Sequence, residues 1–128
     1  METINYDRTS SFEKKFKKLE KKWRTLSADL KTAQQNAIEI YHVEKIDNHS
    51  VFPIPGFCNE NVQIFKLKKF ACRSLKGRGV QSGIRIIYAF FLKDLKIVFI
   101  DIYFKADQTN EDKGLIKEFI RDEFASYQ

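Results

Sequence analysis

The stretch Ile84-Arg-Ile-Ile-Tyr-Ala-Phe-Phe-Leu92 decides the fold. Both of its alternating residue sets are apolar, with Arg85 the one charge among them. A strand that is apolar on both faces belongs at the centre of a sheet, covered on both sides. Lys93-Asp94-Leu95 makes a tight turn into a second strand, Lys96 to Lys105, so these two pair as a hairpin. Upstream, Val62 to Cys72 reads as another strand. Residues 3–7, where Ile4 and Tyr6 alternate with polar neighbours, form a short first one.

Helical spacing fills the rest. Ser10-Ser11-Phe12-Glu13 reads as a capping box. The helix after it carries Phe12, Phe16, Leu19 and Trp23 on one stripe, at spacings of 4, 3 and 4. Its opposite face, Lys14, Lys15, Lys17, Lys18, Lys21 and Lys22, is either a solvated surface or an auxiliary phosphate-binding face. Thr25 or Ser27 caps a second helix with the stripe Leu26, Leu30, Ala33, Ala37 and Tyr41, ending near His42. The short join makes the pair an antiparallel hairpin. Residues 43–61 read as irregular, with turns at Pro53, Pro55 and Gly56 and with Phe52 and Phe57 pinning the segment to the core. Thr109 to Asp112 caps a last helix whose apolar face is Leu115, Ile116, Phe119, Ile120 and Phe124. The order β-α-α-β-β-β-α predicts an α+β two-layer sandwich: a mainly antiparallel sheet with an N-terminal helical hairpin, one domain over 1–128.

Composition narrows the function classes. The apolar content is 43%, with 12 Phe and 5 Tyr, which predicts a folded chain. No run approaches the roughly 18 apolar residues of a membrane span. Met1 to Asp7 lacks the basic and apolar regions of a signal peptide, so a cytoplasmic protein is expected. Cys58 and Cys72, fourteen apart and distant from His42 and His49, have no zinc-type spacing and read as free thiols; no metal or cofactor is implied. Both histidines read as cap or surface residues. The net charge is +6, and its distribution is uneven: between Asn61 and Arg85 lie seven basic residues and no acid. A polyanion is the natural partner.

Strand period sorts these charges. Phe65, Leu67 and Ala71 share one face of their strand, and Lys66 and Lys68 the other. Asp101, Tyr103 and Lys105 share a face of the last strand. With the helix-covered face filled by Phe and Leu, the opposite face is left for polar groups, where Lys66, Lys68, Arg85, Tyr103 and Lys105 can converge. Lys69 and the glycine-rich loop carrying Arg73, Lys76 and Arg78 add RNA-binding candidates, and that loop is expected to be mobile. Attack of a ribose 2′-hydroxyl on its own phosphate needs a base, positive charge on the phosphorane and an acid for the 5′-oxygen. A lysine crowded by other cations can be the base, and Arg85 offers a fixed fork to phosphate oxygens. Blander readings stay open: Arg85 paired with Asp101, Lys66 and Lys68 guarding an edge strand against aggregation, or binding without chemistry.

The helix hairpin, Ile64-Phe-Lys-Leu-Lys68, Ser82-Gly-Ile-Arg-Ile-Ile-Tyr88 and Ile100-Asp-Ile-Tyr-Phe-Lys105 together resemble the RelE/ParE toxin superfamily, most nearly its HigB-like branch, over about Phe12 to Phe124. The resemblance implies a RelE-like fold and a type II toxin that cuts mRNA on the ribosome, held in check by a cognate antitoxin. It matches Lys66 and Lys68 to the family's two phosphate-facing lysines, and Arg85 to the arginine after a glycine-bearing turn. The family's arginine after the last strand falls near Lys105. Its C-terminal tyrosine falls near Asp112, so Tyr103 and Lys105 stand in for the acid–base groups. Superfamily members also include gyrase poisons without nuclease activity, and an inactive RNA-binding relative is a further alternative; fold alone does not choose between them.

Overall fold

The computed structural model describes residues 3–79 and 81–126, with side chains as far as Glu123. The elements are β1 (Asn5–Arg8), α1 (Ser10–Lys22), α2 (Leu26–Ala33), a π-helical turn (Gln34–Ile38), α3 (Glu39–His42), β2 (Val51–Pro53), β3 (Val62–Leu67), β4 (Ile84–Phe91), β5 (Lys96–Phe104) and α4 (Lys113–Ser126). One sheet runs in the order β1-β5-β4-β3-β2. Three of its pairings are antiparallel, and β1 lies parallel to β5. The α+β class and the central place of β4 follow the sequence reading. The strand count does not, because Val51-Phe-Pro forms β2 within the segment read as irregular.

Each helix start has its own local cause. Thr9, not a serine, caps α1: its Oγ1 accepts from Phe12 N at 3.1 Å. Thr25 precedes α2 but gives it no side-chain cap. Asp112 Oδ1 accepts from Leu115 N at 3.1 Å at the start of α4. The second helical stripe continues through the π-helical turn, and the Asn36 carbonyl accepts from Asn48 Nδ2 at 3.1 Å.

Two apolar layers sandwich the sheet. On one face Phe65, Leu67, Ile84, Ile86, Tyr88, Phe99 and Ile102 meet Phe12, Phe16, Trp23, Leu26 and Leu30 of the helical hairpin. Phe12 and Phe99 stack with ring centroids 5.3 Å apart. On the other face Val62, Ile64, Ile87, Ala89, Phe91, Val98 and Ile100 meet Ile54 and, from α4, Ile116 and Phe119. Burial of each such ring contributes roughly 2–3 kcal/mol. The second face is therefore not open for polar groups along its length, as the sequence suggested. Its polar groups stand at the ends, Lys66 and Arg85 beyond Ile87 and Lys96 opposite Phe91. The Phe124 side chain expected on α4 lies outside the described residues.

Several expectations are corrected. β3 ends at Leu67, so Ala71 lies past the strand and is exposed. Phe52 is 37% exposed and pins nothing, while Val51 and Ile54 are buried. Both cysteines are free thiols; a buried or half-buried place was expected for each, and Cys72 has one while Cys58 is exposed. In β5 the register slips opposite Ile87/Tyr88, leaving Ile100 as the extra residue of a bulge. Gly83 has φ +87°, and a side chain there would meet the Phe104 ring at 3.1 Å, so the turn into β4 requires glycine.

His42 is neither a cap nor a surface residue. It is buried, its Nε2 lies 2.7 Å from the Tyr88 hydroxyl, and its ring stacks on Phe90 with centroids 4.3 Å apart. Burial, helped by the Lys45 charge, pulls its pKa down to about 4. In the unfolded chain a histidine titrates near 6.5. The unfolded state therefore binds the proton first, and stability that is complete above pH 6.5 is lost as pH falls toward 4. The expected loss is on the order of 3 kcal/mol from this one group. Denaturant melts from pH 7 to 4.5 check it: His42→Phe should remove much of the acid sensitivity, and an unchanged slope in that variant would contradict the assignment.

Candidate functional site

The polar end of the second face beyond Ile87 is built by three neighbouring strands and the segment that leads into α4. Lys66 on β3 stands opposite Ile87 on β4, and Arg85 on β4 stands opposite Tyr103 on β5. Strand alternation puts all three side chains on the α4 face. Arg85 Nη1 donates to the Lys68 carbonyl at 2.9 Å, which ties the end of β3 to the start of β4. The Lys68 ammonium lies 4.8 Å over the Phe52 ring. Lys105 is exposed just past β5, with its backbone N–H 2.8 Å from the Gly83 carbonyl. The structure thus brings Lys66, Arg85 and Tyr103 together, with Lys68 and Lys105 at the rim.

The sequence did not single out Glu111. Its Oε2 lies 2.5 Å from Lys66 Nζ, and the two side chains are 13% and 14% exposed. The Lys66 ammonium holds the Glu111 carboxyl below the usual carboxylate range. Lys66 therefore faces a carboxylate, not the crowd of cations that the sequence reading invoked to make it a base. Beside them, burial pushes the Tyr103 hydroxyl up to about 12, with the Glu111 charge adding to the shift and Arg85 opposing it. At neutral pH the crevice holds an ionised carboxylate, two cations and a protonated phenol.

Two of the three blander readings are overturned. Arg85 does not pair with Asp101. That carboxylate accepts from Lys15 Nζ of α1 at 2.6 Å and from Ile102 N at 2.9 Å. Nor is β3 an edge, because β2 covers it, with Phe52 opposite Lys66. One lysine of the α1 face is thereby an ion-pair partner of the sheet.

The remaining basic candidates lie apart from the crevice. Lys69, Arg73, Lys76 and Arg78 are exposed along the chain that joins β3 to β4. The start of that loop is fastened. Buried Asp29 accepts from Arg73 N at 3.1 Å and from Arg73 Nε at 3.2 Å. Ser74 and Thr25 exchange bonds, Ser74 N to Thr25 Oγ1 at 2.9 Å and Thr25 N to Ser74 Oγ at 3.1 Å. At the far end the buried Ser82 hydroxyl donates to the Phe70 carbonyl. The loop read as mobile is anchored at both ends, and Arg73 is engaged as one of its fasteners.

The ion pairing predicts an order of stabilities. Arg85→Ala removes bonds to carbonyls at a half-buried position and should cost about 1 kcal/mol. Lys15→Ala leaves the buried Asp101 carboxylate short of its cation. Because Lys15 is itself partly exposed, the cost should be about 2–3 kcal/mol, below that of a wholly buried pair. Urea unfolding of both variants checks this; a larger loss for Arg85→Ala would contradict the pairing.

No family model matches this chain, and no curated protein matches it. Among solved structures it is similar to the archaeal RelE–RelB complex from Pyrococcus horikoshii OT3. The identity is 13% and the TM-score 0.51, over 81% of this chain and 97% of that one. A likeness at that identity speaks for architecture: the chain has a RelE-like α+β fold.

Proposed function

We propose that this protein is the toxin of a type II toxin–antitoxin module and acts as a metal-independent endoribonuclease on mRNA held by the ribosome. The observation that carries the reading is the grouping of Lys66, Arg85 and Tyr103 at one end of a largely apolar sheet face, in a RelE-like fold.

In this reading Lys66 and Arg85 neutralise the charge that builds on the phosphorane, and Arg85 does so with a planar fork. Tyr103 keeps its proton at neutral pH and can donate it. Lys68 and Lys105 hold the flanking backbone phosphates. Lys69, Lys76 and Arg78 extend the cationic track toward ribosomal RNA, with Arg73 splitting its role between that track and Asp29. A small antitoxin is the expected protein partner, as RelB is of the RelE in the similar structure. The Gly83-Ile-Arg-Ile-Ile-Tyr88 motif argues for the HigB-like branch, and a ribosomal target argues for the cytoplasm.

The test is toeprinting on ribosomes programmed with a defined message. The wild-type protein should cut the message. Arg85→Ala should cut it about 100-fold or more slowly, the scale of a lost preorganised donor. An intact message, together with unimpaired growth and translation when the protein is induced, would overturn the reading.

A further inference from the structure

Glu111 takes none of the roles given to Lys66, Arg85 and Tyr103, yet its carboxylate lies in the crevice with them. The segment between β5 and α4 delivers it there, and Asp112 beside it caps α4. Because α4 is fastened to the second face by Ile116 and Phe119, the carboxylate's position is set by the fold. A surface ion pair would be weakly held and screened by water. This one is largely buried on both sides, so each partner is oriented by the other.

An ammonium has three donors. One of those on Lys66 is taken by Glu111. The other two can reach a phosphate oxygen at the same time, so a phosphodiester bound at Lys66 would sit with its ribose beside the Glu111 carboxylate. Across the strands, next to Arg85, stands the phenol of Tyr103. The carboxylate is ionised and the phenol protonated, and the two are near enough for the Glu111 charge to act on the Tyr103 hydroxyl. Environments that drive two titratable groups apart in this way are the arrangement by which one site holds a base and an acid at a single pH.

We propose that Glu111 is the general base of the crevice, taking the 2′-hydroxyl proton while Tyr103 protonates the leaving 5′-oxygen. This rests on the nuclease reading and gives it the base it lacked. In the step, the 2′-oxygen forms a bond to phosphorus as its proton passes to Glu111. The bond from phosphorus to the 5′-oxygen breaks, and that oxygen takes the proton of Tyr103. The products are a 2′,3′-cyclic phosphate and a 5′-hydroxyl. Solvent then carries the proton from Glu111 back to the Tyr103 phenolate, so the site is restored with no other reactant. Lys66 stays charged throughout and bridges the base to the phosphate.

The experiment measures single-turnover cleavage at saturating mRNA-programmed ribosomes, with ribosome affinity and thermal melting recorded for each variant. Glu111→Gln should cut at least 100-fold more slowly with little change in affinity, the range of a removed general base. Glu111→Asp, which keeps the charge but withdraws it by a methylene, should fold and cut at least tenfold more slowly. Formate should restore part of the rate to Glu111→Ala. A wild-type or faster rate for Glu111→Asp or for folded Glu111→Gln would overturn the proposal, and a faster rate would mark the carboxylate as a plug competing with phosphate for Lys66. If the wild-type protein cuts nothing, the nuclease reading itself falls and the base assignment with it; a cutting wild type with indifferent Glu111 variants removes the base alone.

Discussion

β4 must be covered on both faces. Ile84, Ile86 and Tyr88 point to one side and Ile87, Ala89 and Phe91 to the other, and all six are buried. The helical hairpin supplies one cover and α4 the other. That demand shapes the rest of the molecule. Because α4 closes the second face over Ile87, Ala89 and Phe91, the polar groups of that face fall at its ends, and Lys66, Arg85 and Tyr103 stand together at one of them. Because α4 starts beside that end, the residue before its cap, Glu111, is carried into it. The crevice is thus a by-product of core packing.

Confinement also changes the value of each charge. In open water an ammonium and a carboxylate at contact attract one another weakly; with most of their surface withdrawn from solvent the same pair is screened far less. The energy of holding Lys66 and Glu111 there is met by their mutual pairing and by the apolar burial around them. A phosphate entering such a place meets donors already aimed, with little reorganisation left to do, which is the condition under which electrostatic stabilisation of a transition state is strongest. The loop carrying Lys76 and Arg78 is different in kind. Its ends are knotted to α2 and to the start of β4, but its basic side chains face solvent, as befits contacts that add affinity.

Periodicity made the core legible. The two-sided apolar run of β4 and the stripes of α1 and α2 read directly from spacing, because burial of one face is a demand that sequence must meet everywhere. Lys66, Arg85 and Tyr103 were legible as neighbours for the same reason. What escaped lacked a period. Val51-Phe-Pro is too short to alternate. The bulge at Ile100 arises from pairing, not from any residue type. His42 looked like a helix end because nothing in the sequence announces Tyr88 as its partner, 46 residues away. Glu111 is one acid among six after Lys105, and only the path of the chain selects it. The family resemblance leads to Asp112, one residue past the group that the fold places in the crevice.

The chemistry of the cut ends tests the account most directly. Message cleaved by this protein on programmed ribosomes, in the presence of excess EDTA, should carry a 2′,3′-cyclic phosphate on the upstream fragment and a 5′-hydroxyl on the downstream one. That is the signature of attack by the ribose 2′-oxygen under cationic and acid–base catalysis from side chains alone. Cleavage that stops with EDTA, or that leaves a 3′-hydroxyl and a 5′-phosphate, would mean that an activated water attacks phosphorus, and the roles given to Lys66, Arg85 and Tyr103 would be contradicted.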